Sequence, residues 1–481
     1  MYVGQTIDRA VEWVPDRMAL AVGDERLTYA ALDALAQRCA VALHAAGVGS
    51  GDHVAVVDGG SPLAVAAILG VARLGAASAQ MNPDLKPGEM AALCQMIGAR
   101  VGVAGRHHQA TLAAALGGTV VREEDIAGVP GHHALPDVSI EDDSTGLILF
   151  SSGSTGLPKP VYISHRTVSD RLAYYGTAID PAVDPPIDMM SVPLFHIGGT
   201  LGLLITLHSG RSMVILPRFD AGAWLRTVEE CRVSQTFVVP TMLRRILDHP
   251  EFASRDIGSL RSLSYGAAPA LPDLIRRAVA ALPEVDFSNV FGQTETLGAY
   301  AALSPEDHRA GRKLDSVGRP FPGVELRVVD VETQEDLGVG QIGEAVVRAA
   351  QNITQDWMPT GDLVAIDEEG YLFVKGRVKD TINRGGEKFG PVEIEAAIRT
   401  LRGVAEVAVA GVPDEDLGER VGALIVGDGG LEVDTVKAHC QQALARFKVP
   451  EIIVFVDELP YNRYGKIPRA AVVEVIRSHA G

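Results

Sequence analysis

A short apolar run, Leu147, Ile148, Leu149 and Phe150, opens into Ser151-Ser152-Gly153-Ser154-Thr155-Gly156-Leu157-Pro158-Lys159. The apolar residues read as a buried strand. A buried strand that delivers the chain into glycines and hydroxyls constrains everything built around it. Glycines let the backbone approach an anion, successive N–H groups converge on its oxygens, and Ser and Thr hydroxyls add donors. The loop is therefore suited to phosphate. It is not a Walker A loop, which needs Gly-Lys-Ser/Thr at its end, because Gly156 is followed by Leu157, Pro158 and Lys159. Serine and glycine runs are also the composition of flexible linkers, so the rest of the chain must decide.

That chain alternates strands and helices. Residues 32–46 carry apolar side chains at helical spacing, 53–58 read as a strand, and 64–74 as a second apolar helix. Strands at 213–216 and 236–239 alternate with helices at 223–231 and 241–247. The pattern predicts an α/β fold, a sheet with helices packed on it. Residues 131–143 read as a surface connection ahead of the loop strand. The character changes near Lys375. A helix at 391–401, strands at 404–412 and 421–426, a helix at 433–445 and a strand at 452–456 predict a small α+β unit. The boundary falls at Lys379, giving domains of residues 1–378 and 379–481.

Composition excludes several classes of function. The 481 residues are 47% hydrophobic and 22% charged, enough apolar material for sizeable cores. A net charge of −18 argues against a nucleic-acid partner, which needs a basic face. Cys39, Cys94, Cys231 and Cys440 are scattered and form no CxxC pair, which fits a reduced, cytoplasmic protein and offers no zinc framework. The first residues lack the apolar stretch of a secretory signal. No run approaches the ~18 apolar residues of a membrane span. The sequence leaves the oligomeric state open, a homodimer included.

Two patterns are decoys. Gly338, Gly340 and Gly343 match GxGxxG, but the run 344–348 is β-rich where a dinucleotide site needs a helix, so a hairpin turn is expected. The pairs His107-His108 and His132-His133 have no third ligand at a telling distance and read as solvated loops.

Four further segments bear on chemistry. Val290-Phe291-Gly292-Gln293-Thr294-Glu295 brings an aromatic, a glycine, a hydroxyl and a carboxylate from the end of a strand. A carboxylate beside phosphates suits Mg²⁺, which prefers oxygen ligands, while Thr294 could equally cap a helix. In Thr360-Gly361-Asp362 the carboxylate can accept two hydrogen bonds from a ribose, or the triplet is a plain turn. Arg377, Lys379 and Asp380, followed by Arg384-Gly385-Gly386-Glu387-Lys388, sit at the domain boundary, where charges often only solvate a linker. Lys466 lies among turn formers in Tyr461-Asn462-Arg463-Tyr464-Gly465-Lys466-Ile467, where it can project into a cleft.

In this order the segments resemble the adenylate-forming superfamily of acyl-CoA synthetases, non-ribosomal adenylation domains and luciferases, over essentially the whole chain. Leu27 to Leu32, Leu74-Gly75-Ala76, Asn82-Pro83, Pro193-Leu194-Phe195-His196 and Gly266-Ala267-Ala268-Pro269 resemble further motifs of that superfamily. The resemblance implies a large N-terminal domain of α/β layers with a β-barrel-like subdomain, and a small mobile C-terminal α+β domain. It implies a two-step reaction with ATP, Mg²⁺ and CoA: a carboxylic acid becomes an acyl-adenylate, and a thiol then displaces AMP. By motif, residues 151–159 hold the β- and γ-phosphates, Thr294 meets the α-phosphate and Glu295 binds Mg²⁺. Phe291 with Gly266, Ala267 and Ala268 flanks adenine, and Asp362 and Arg377 grip the ribose. Lys466 bridges the α-phosphate and the carboxylate, offsetting charge in the transition state. Lys379 matches a hinge, Gly385-Gly386 a thiol-channel loop, and His196 an aromatic gate.

Pro160 departs from the pattern, standing where the superfamily usually has Gly, and the segment between Glu344 and Trp357 is short. The acid pocket is expected among residues 196–200, 238–241, 265–268 and 297–299, mostly small or apolar. An amino-acid substrate would need a buried carboxylate for its ammonium. Phe195-His196-Ile197-Gly198 supplies none, so an aryl, medium-chain or polycyclic acid is expected. Arg384, Lys388, Arg446, Lys448 and Arg469 are candidate cations for the phosphates of CoA. The alternatives are an enzyme that loads an acyl carrier protein's phosphopantetheine and a non-catalytic nucleotide-binding regulator.

Overall fold

Local rules place most of the helices. The Thr28 hydroxyl caps Tyr29–Ala45 by accepting from the Ala31 N–H at 3.1 Å. Ser61 caps Pro62–Arg73, whose proline sits in the first turn, where no helical hydrogen bond is lost. The two helices pack so closely that a Cβ at Gly70 would lie 2.7 Å from the Ala36 carbonyl oxygen. Every residue from Pro62 to Ala72 is buried, so this helix is core on all sides. The computed structural model describes residues 1–130, 135–136, 138–151, 157–175, 179–461 and 467–480.

The chain divides into two compact units. One comprises Met1–Leu314, Pro320–Val324 and Arg348–Asp356; the other comprises Asp315–Arg319, Glu325–Val347 and Trp357–Gly481.

In the first unit a six-stranded sheet runs in the order Thr119–Arg122, Val101–Ala104, His53–Val57, Ala77–Met81, Thr145–Ser151, Lys159–Ser164. Its pairs are parallel except the last. A larger sheet takes Gly298–Leu303, Asp286–Gln293, Ser262–Gly266, Gln235–Val238, Ile187–Met190, Ser212–Ile215, Met18–Val22 and Glu25–Thr28 in that order. Five consecutive pairs, from Asp286–Gln293 to Ser212–Ile215 and on to Met18–Val22, are parallel. Helices link the parallel strands, as an α/β fold requires. His165 opens the helix His165–Ala173 in full burial. Its Nδ1 accepts the Val3 N–H at 3.2 Å, and burial pushes its pKa down to about 4.

The second unit holds two sheets. The β-rich stretch forms a four-stranded sheet, Glu325–Val329, Gly343–Arg348, Met358–Ile366, Leu372–Arg377. The strand that begins at Gly343, after the positive-φ turn residue Gly340, confirms that the GxGxxG match is no dinucleotide fingerprint. The other sheet is built on Val404–Asp414 and Gly418–Gly427, flanked by Ile382–Arg384, Glu387–Phe389 and Ile452–Phe455. Val404–Asp414 is apolar on both faces. Val407 and Val409 join a core with Ile394, Ile398, Val436 and Cys440, while Ala408, Ala410 and Val412 join one with Val472 and Ile476. The period of two therefore seats helices Pro391–Arg399 and Val433–Ala443 on one face and Arg469–Ala480 on the other.

Candidate active site

In the first unit the candidate residues gather at the C-terminal ends of neighbouring parallel strands, where open α/β sheets bind ligands. Ser262–Gly266 pairs with Asp286–Gln293 so that Gly266 stands opposite Val290. A Cβ at Gly266 would lie 2.2 Å from the Val290 carbonyl oxygen, so the close approach demands glycine. Ala267 follows with φ +63, a left-handed conformation costly for a residue with a Cβ. The expected adenine-flanking segments, Gly266-Ala267-Ala268 and Phe291, thus share one end of the sheet. Phe291 meets Tyr300 edge to face, with centroids 5.3 Å apart.

Thr294 and Glu295 sit in the turn between Asp286–Gln293 and the antiparallel strand Gly298–Leu303. No helix follows, so the helix-cap reading of Thr294 falls away. The turn is fixed instead by Thr296, whose hydroxyl oxygen accepts the Gln293 N–H at 3.0 Å and lies 2.6 Å from the Gly298 carbonyl. Thr296 is fully buried, while Thr294 and Glu295 are half-buried. The Ile353 N–H further ties the turn to the Glu295 carbonyl at 3.1 Å. Among the described residues no cluster of three His, Cys, Asp or Glu could hold a metal ion. One carboxylate, Glu295, suits a Mg²⁺ ion that takes its other ligands from phosphates and water.

Ser151 and Lys159 stand opposite each other in an antiparallel pair. Ser151 ends one strand and Lys159 begins the next; Ser152, Gly153, Ser154, Thr155 and Gly156 lie outside the described residues. Pro160 is on an edge strand, opposite Phe150, where a missing N–H is tolerated.

His196 precedes the helix Ile197–His208, half-buried against the Phe195 ring at 4.7 Å. Its carbonyl accepts the Gly199 and Thr200 N–H groups at 2.9 and 3.0 Å. Three glycines of the expected acid pocket, Gly198, Gly199 and Gly298, behave differently. Gly199 packs against the Pro193 carbonyl, 2.2 Å from where its Cβ would be, and Gly298 (φ +89) abuts Leu201 at 2.7 Å. Only Gly198 is open, its nearest neighbour being the Phe237 ring at 3.8 Å. Tyr265, expected at the pocket, is spent elsewhere: its hydroxyl bonds His308 Nε2 at 2.8 Å, and it is fully buried. Arg171 donates to the Ala299 carbonyl at 3.0 Å, with its buried guanidinium against Tyr174, Tyr175 and Phe321. Phe237, Thr296 and Arg171 carry no motif that would have marked them.

In the second unit, Asp362 and Arg377 face each other across paired strands. Arg377 Nε donates to Asp362 Oδ1 at 2.7 Å. Gly361 (φ +72), inside the strand Met358–Ile366, kinks the backbone just before Asp362, and its N–H meets Glu344 Oε1 at 2.9 Å. Thr360 Oγ1 donates to the Ala345 carbonyl and accepts the Asp362 N–H. Lys379 lies in the short helix Val378–Asp380 directly after the strand that carries Arg377. Gly385 and Gly386, with φ +60 and +92, make the two-residue turn joining Ile382–Arg384 to Glu387–Phe389, the conformation that favours Gly-Gly. Lys466 lies outside the described residues.

The candidate cations are largely neutralised. Arg384 pairs with Glu451, Lys388 with Glu332 at 2.6 Å, Lys448 with Glu393 at 2.7 Å, and Arg469 with Glu395. Arg446 is exposed at the start of Arg446–Lys448.

Known proteins agree with this geometry. A profile of AMP-binding enzymes matches residues 7–355, and one of the AMP-binding enzyme C-terminal domain matches residues 393–466. The chain is 32% identical over 493 residues to the fatty acid–[acyl-carrier-protein] ligase ScoC of Streptomyces coeruleorubidus, covering 97% of this chain and 94% of that one. It is also 32% identical over 482 residues to a feruloyl-CoA synthase of an Amycolatopsis species, covering 96% and 97%. The solved structure of ATP-bound MatB from Rhodopseudomonas palustris superposes with a TM-score of 0.87 at 28% identity, covering all of both chains. Among the described residues no helix is long and apolar enough to cross a membrane. With the AMP-binding enzyme profile matched over most of its length and relatives 32% identical over nearly the whole chain, the chain belongs to the adenylate-forming family of AMP-binding enzymes.

Proposed function

We propose that the protein is an AMP-forming acid–CoA ligase for an aryl, medium-chain or polycyclic carboxylic acid, working in the cytoplasm. The observation that carries this reading is the convergence of Gly266-Ala267-Ala268 and Phe291-to-Glu295 at the ends of two neighbouring parallel strands. In the first step a carboxylate oxygen attacks the α-phosphorus of ATP, and the bond to the bridging oxygen breaks to release pyrophosphate. In the second, a thiolate sulfur attacks the acyl carbon and the bond to AMP breaks; the thiol proton goes to solvent. The carboxylate is already ionised, so no protein nucleophile or base is needed.

Each residue then has a positioning or electrostatic task. Ser151, the loop after it and Lys159 hold the β- and γ-phosphates. Thr294 donates to the α-phosphate. Glu295 would hold Mg²⁺, which would offset the negative charge of the phosphates. Phe291 and Gly266-Ala267-Ala268 sandwich adenine. Asp362 and Arg377 grip the ribose hydroxyls, with the Arg377 Nε bond orienting the Asp362 carboxylate. Lys466 offsets the charge that builds between two anions. Lys379 is the hinge between half-reactions, Gly385-Gly386 lines the thiol path and His196 gates it. Residues 1–378 would be the catalytic body and 379–481 the moving domain.

A second reading is that the thiol belongs to a carrier protein. Carboxylate partners on Arg384, Lys388, Lys448 and Arg469 leave fewer cations for the phosphates of CoA. AMP release across a panel of aryl, fatty and polycyclic acids, with CoA, with a phosphopantetheinylated carrier protein or with neither, decides between them. CoA-dependent turnover with an acyl-CoA mass supports the ligase. Turnover stimulated only by the carrier protein selects the alternative, and no AMP release with any acid refutes both.

A further inference from the structure

Arg469 stands where helix rules would not put it. It is the first residue of Arg469–Ala480, a helix with no acidic residue in its first turn. A cation there opposes the helix dipole. The position is held by contacts outside the helix. Arg469 Nη1 donates to Glu395 Oε1 and, at 2.7 Å, to the Val409 carbonyl. Glu395 is itself buried on Pro391–Arg399. Its Oε1 also accepts the Val409 N–H at 2.9 Å, while its Oε2 is 3.4 Å from Arg399, which reaches the Val407 carbonyl at the same distance. One carboxylate thus ties together two helices and the edge strand Val404–Asp414 of the small sheet.

The tie sits three residues beyond Lys466, a chain reach of at most about 11 Å. Between them, Ile467 packs on the core of Ala408, Ala410, Val412, Leu424 and Val472, as does Tyr461 on the other side of the lysine segment. Apolar packing alone lets a chain slide by fractions of an ångström. A guanidinium bonded at once to a buried carboxylate and a strand carbonyl does not. A buried charged network costs desolvation, and well-packed apolar residues would serve stability as well. What it adds is a fixed position.

We propose that Glu395 and Arg469 are positioning residues that fix the foot of the lysine segment for adenylation, and that thioester formation does not depend on them. The proposal rests on the adenylation role of Lys466 given above. The test separates the half-reactions: ATP–pyrophosphate exchange with the best acid of the panel, and thioester formation from the synthetic acyl-adenylate with pantetheine. The variants are Lys466→Ala, Glu395→Gln, Arg469→Met, Arg469→Lys and the double Glu395→Gln/Arg469→Met, each checked by thermal melting.

Misplacing a catalytic group by an ångström can cost about 100-fold. The exchange kcat should therefore fall ~10- to 100-fold in Glu395→Gln and Arg469→Met, with KM for ATP and acid changed less than about twofold. Arg469→Lys should rescue part of the loss, the double variant should be no worse than the worse single, and thioester formation should stay within about threefold of wild type. Parallel loss of both half-reactions, or exchange near the wild-type rate in folded variants, overturns the positioning role. If Arg469→Met does not fold, Glu395→Gln and Arg469→Lys carry the test. Normal exchange by Lys466→Ala would instead refute the lysine's role, and the positioning idea with it.

Discussion

Gly198 and Gly298 offer the same chemical change in two environments, and the structure assigns them opposite outcomes. Gly198 is the second residue of Ile197–His208, and a Cβ there meets only the Phe237 ring, at 3.8 Å, an ordinary contact. Gly198→Ala should therefore fold at least as well as wild type, since Ala is favoured over Gly in a helix by up to about 1 kcal/mol. If the open side of Gly198 faces the acid, the new methyl removes room for bulky substrates. One methylene in an apolar pocket discriminates by about 1–3 kcal/mol, or ~10- to 200-fold in kcat/KM. Gly298 has φ +89, and its Cβ would lie 2.7 Å from Leu201 Cδ2. Gly298→Ala combines left-handed strain of about 1–2 kcal/mol with overpacking of about 1–3 kcal/mol. The assays are melting temperature and AMP-release kcat/KM for a benzoate-sized and a polycyclic acid. We expect Gly198→Ala to keep its melting temperature and lose only the large acid, and Gly298→Ala to melt several degrees lower. An unchanged ratio of large to small acid in Gly198→Ala would falsify the assignment of that surface to the acid pocket.

Other perturbations test other parts of the site. Arg377→Met removes a charged partner from the buried Asp362 carboxylate and should cost about 2–3 kcal/mol in urea unfolding, less than the ~3–5 kcal/mol of a fully buried pair because Arg377 is about a third exposed. Asp362→Asn/Arg377→Met should recover part of that loss, and a double variant less stable than Arg377→Met would show that the two are not coupled. His165 is held neutral by burial, its pKa down from 6.5 to about 4. The unfolded chain binds a proton in that window and the native state does not, so stability should fall as pH drops from about 6.5 towards 4. His165→Asn, which can keep an acceptor for the Val3 N–H, should flatten that slope; an equal slope in both proteins assigns the effect to other groups. Lys379→Pro should leave pyrophosphate exchange intact and slow thioester formation, and equal loss of both refutes the hinge.

The fold was legible where spacing and burial agree. The strand expected at 53–58 is His53–Val57, and the helix expected at 223–231 is Ala221–Cys231. The small domain was readable because Val404–Asp414 alternates between two cores and its neighbours carry strong apolar runs. Glu25–Thr28 was not, since a four-residue edge strand of Glu, Arg, Leu and Thr has too little alternation to register. Order across the sheet was also out of reach. Met18–Val22 lies beside Ser212–Ile215, a pairing that no local pattern encodes.

The candidate site shows the same division more sharply. Segments whose function depends on backbone shape were visible, because shape selects residue type: Gly385-Gly386 turns with both φ positive, and Gly266 lies where a Cβ cannot. Side chains that act through a partner were visible only as isolated charges. Asp362 and Arg377 were each weak alone, and it is the paired strands of Met358–Ile366 and Leu372–Arg377 that make them one unit. The cations mislead for the same reason. Arg384, Lys388, Lys448 and Arg469 look like ligands for an anion, yet their carboxylates stand 67, 56, 55 and 74 residues away in the chain. A sequence counts charges without pairing them. With 61 acidic against 43 basic residues, most cations will find a carboxylate once the chain folds. A cation read as a ligand for phosphate in so acidic a chain must therefore show that nothing nearer has claimed it. Exposed Arg446 is the better candidate on that ground, and Arg469, held by Glu395, belongs to the framework instead.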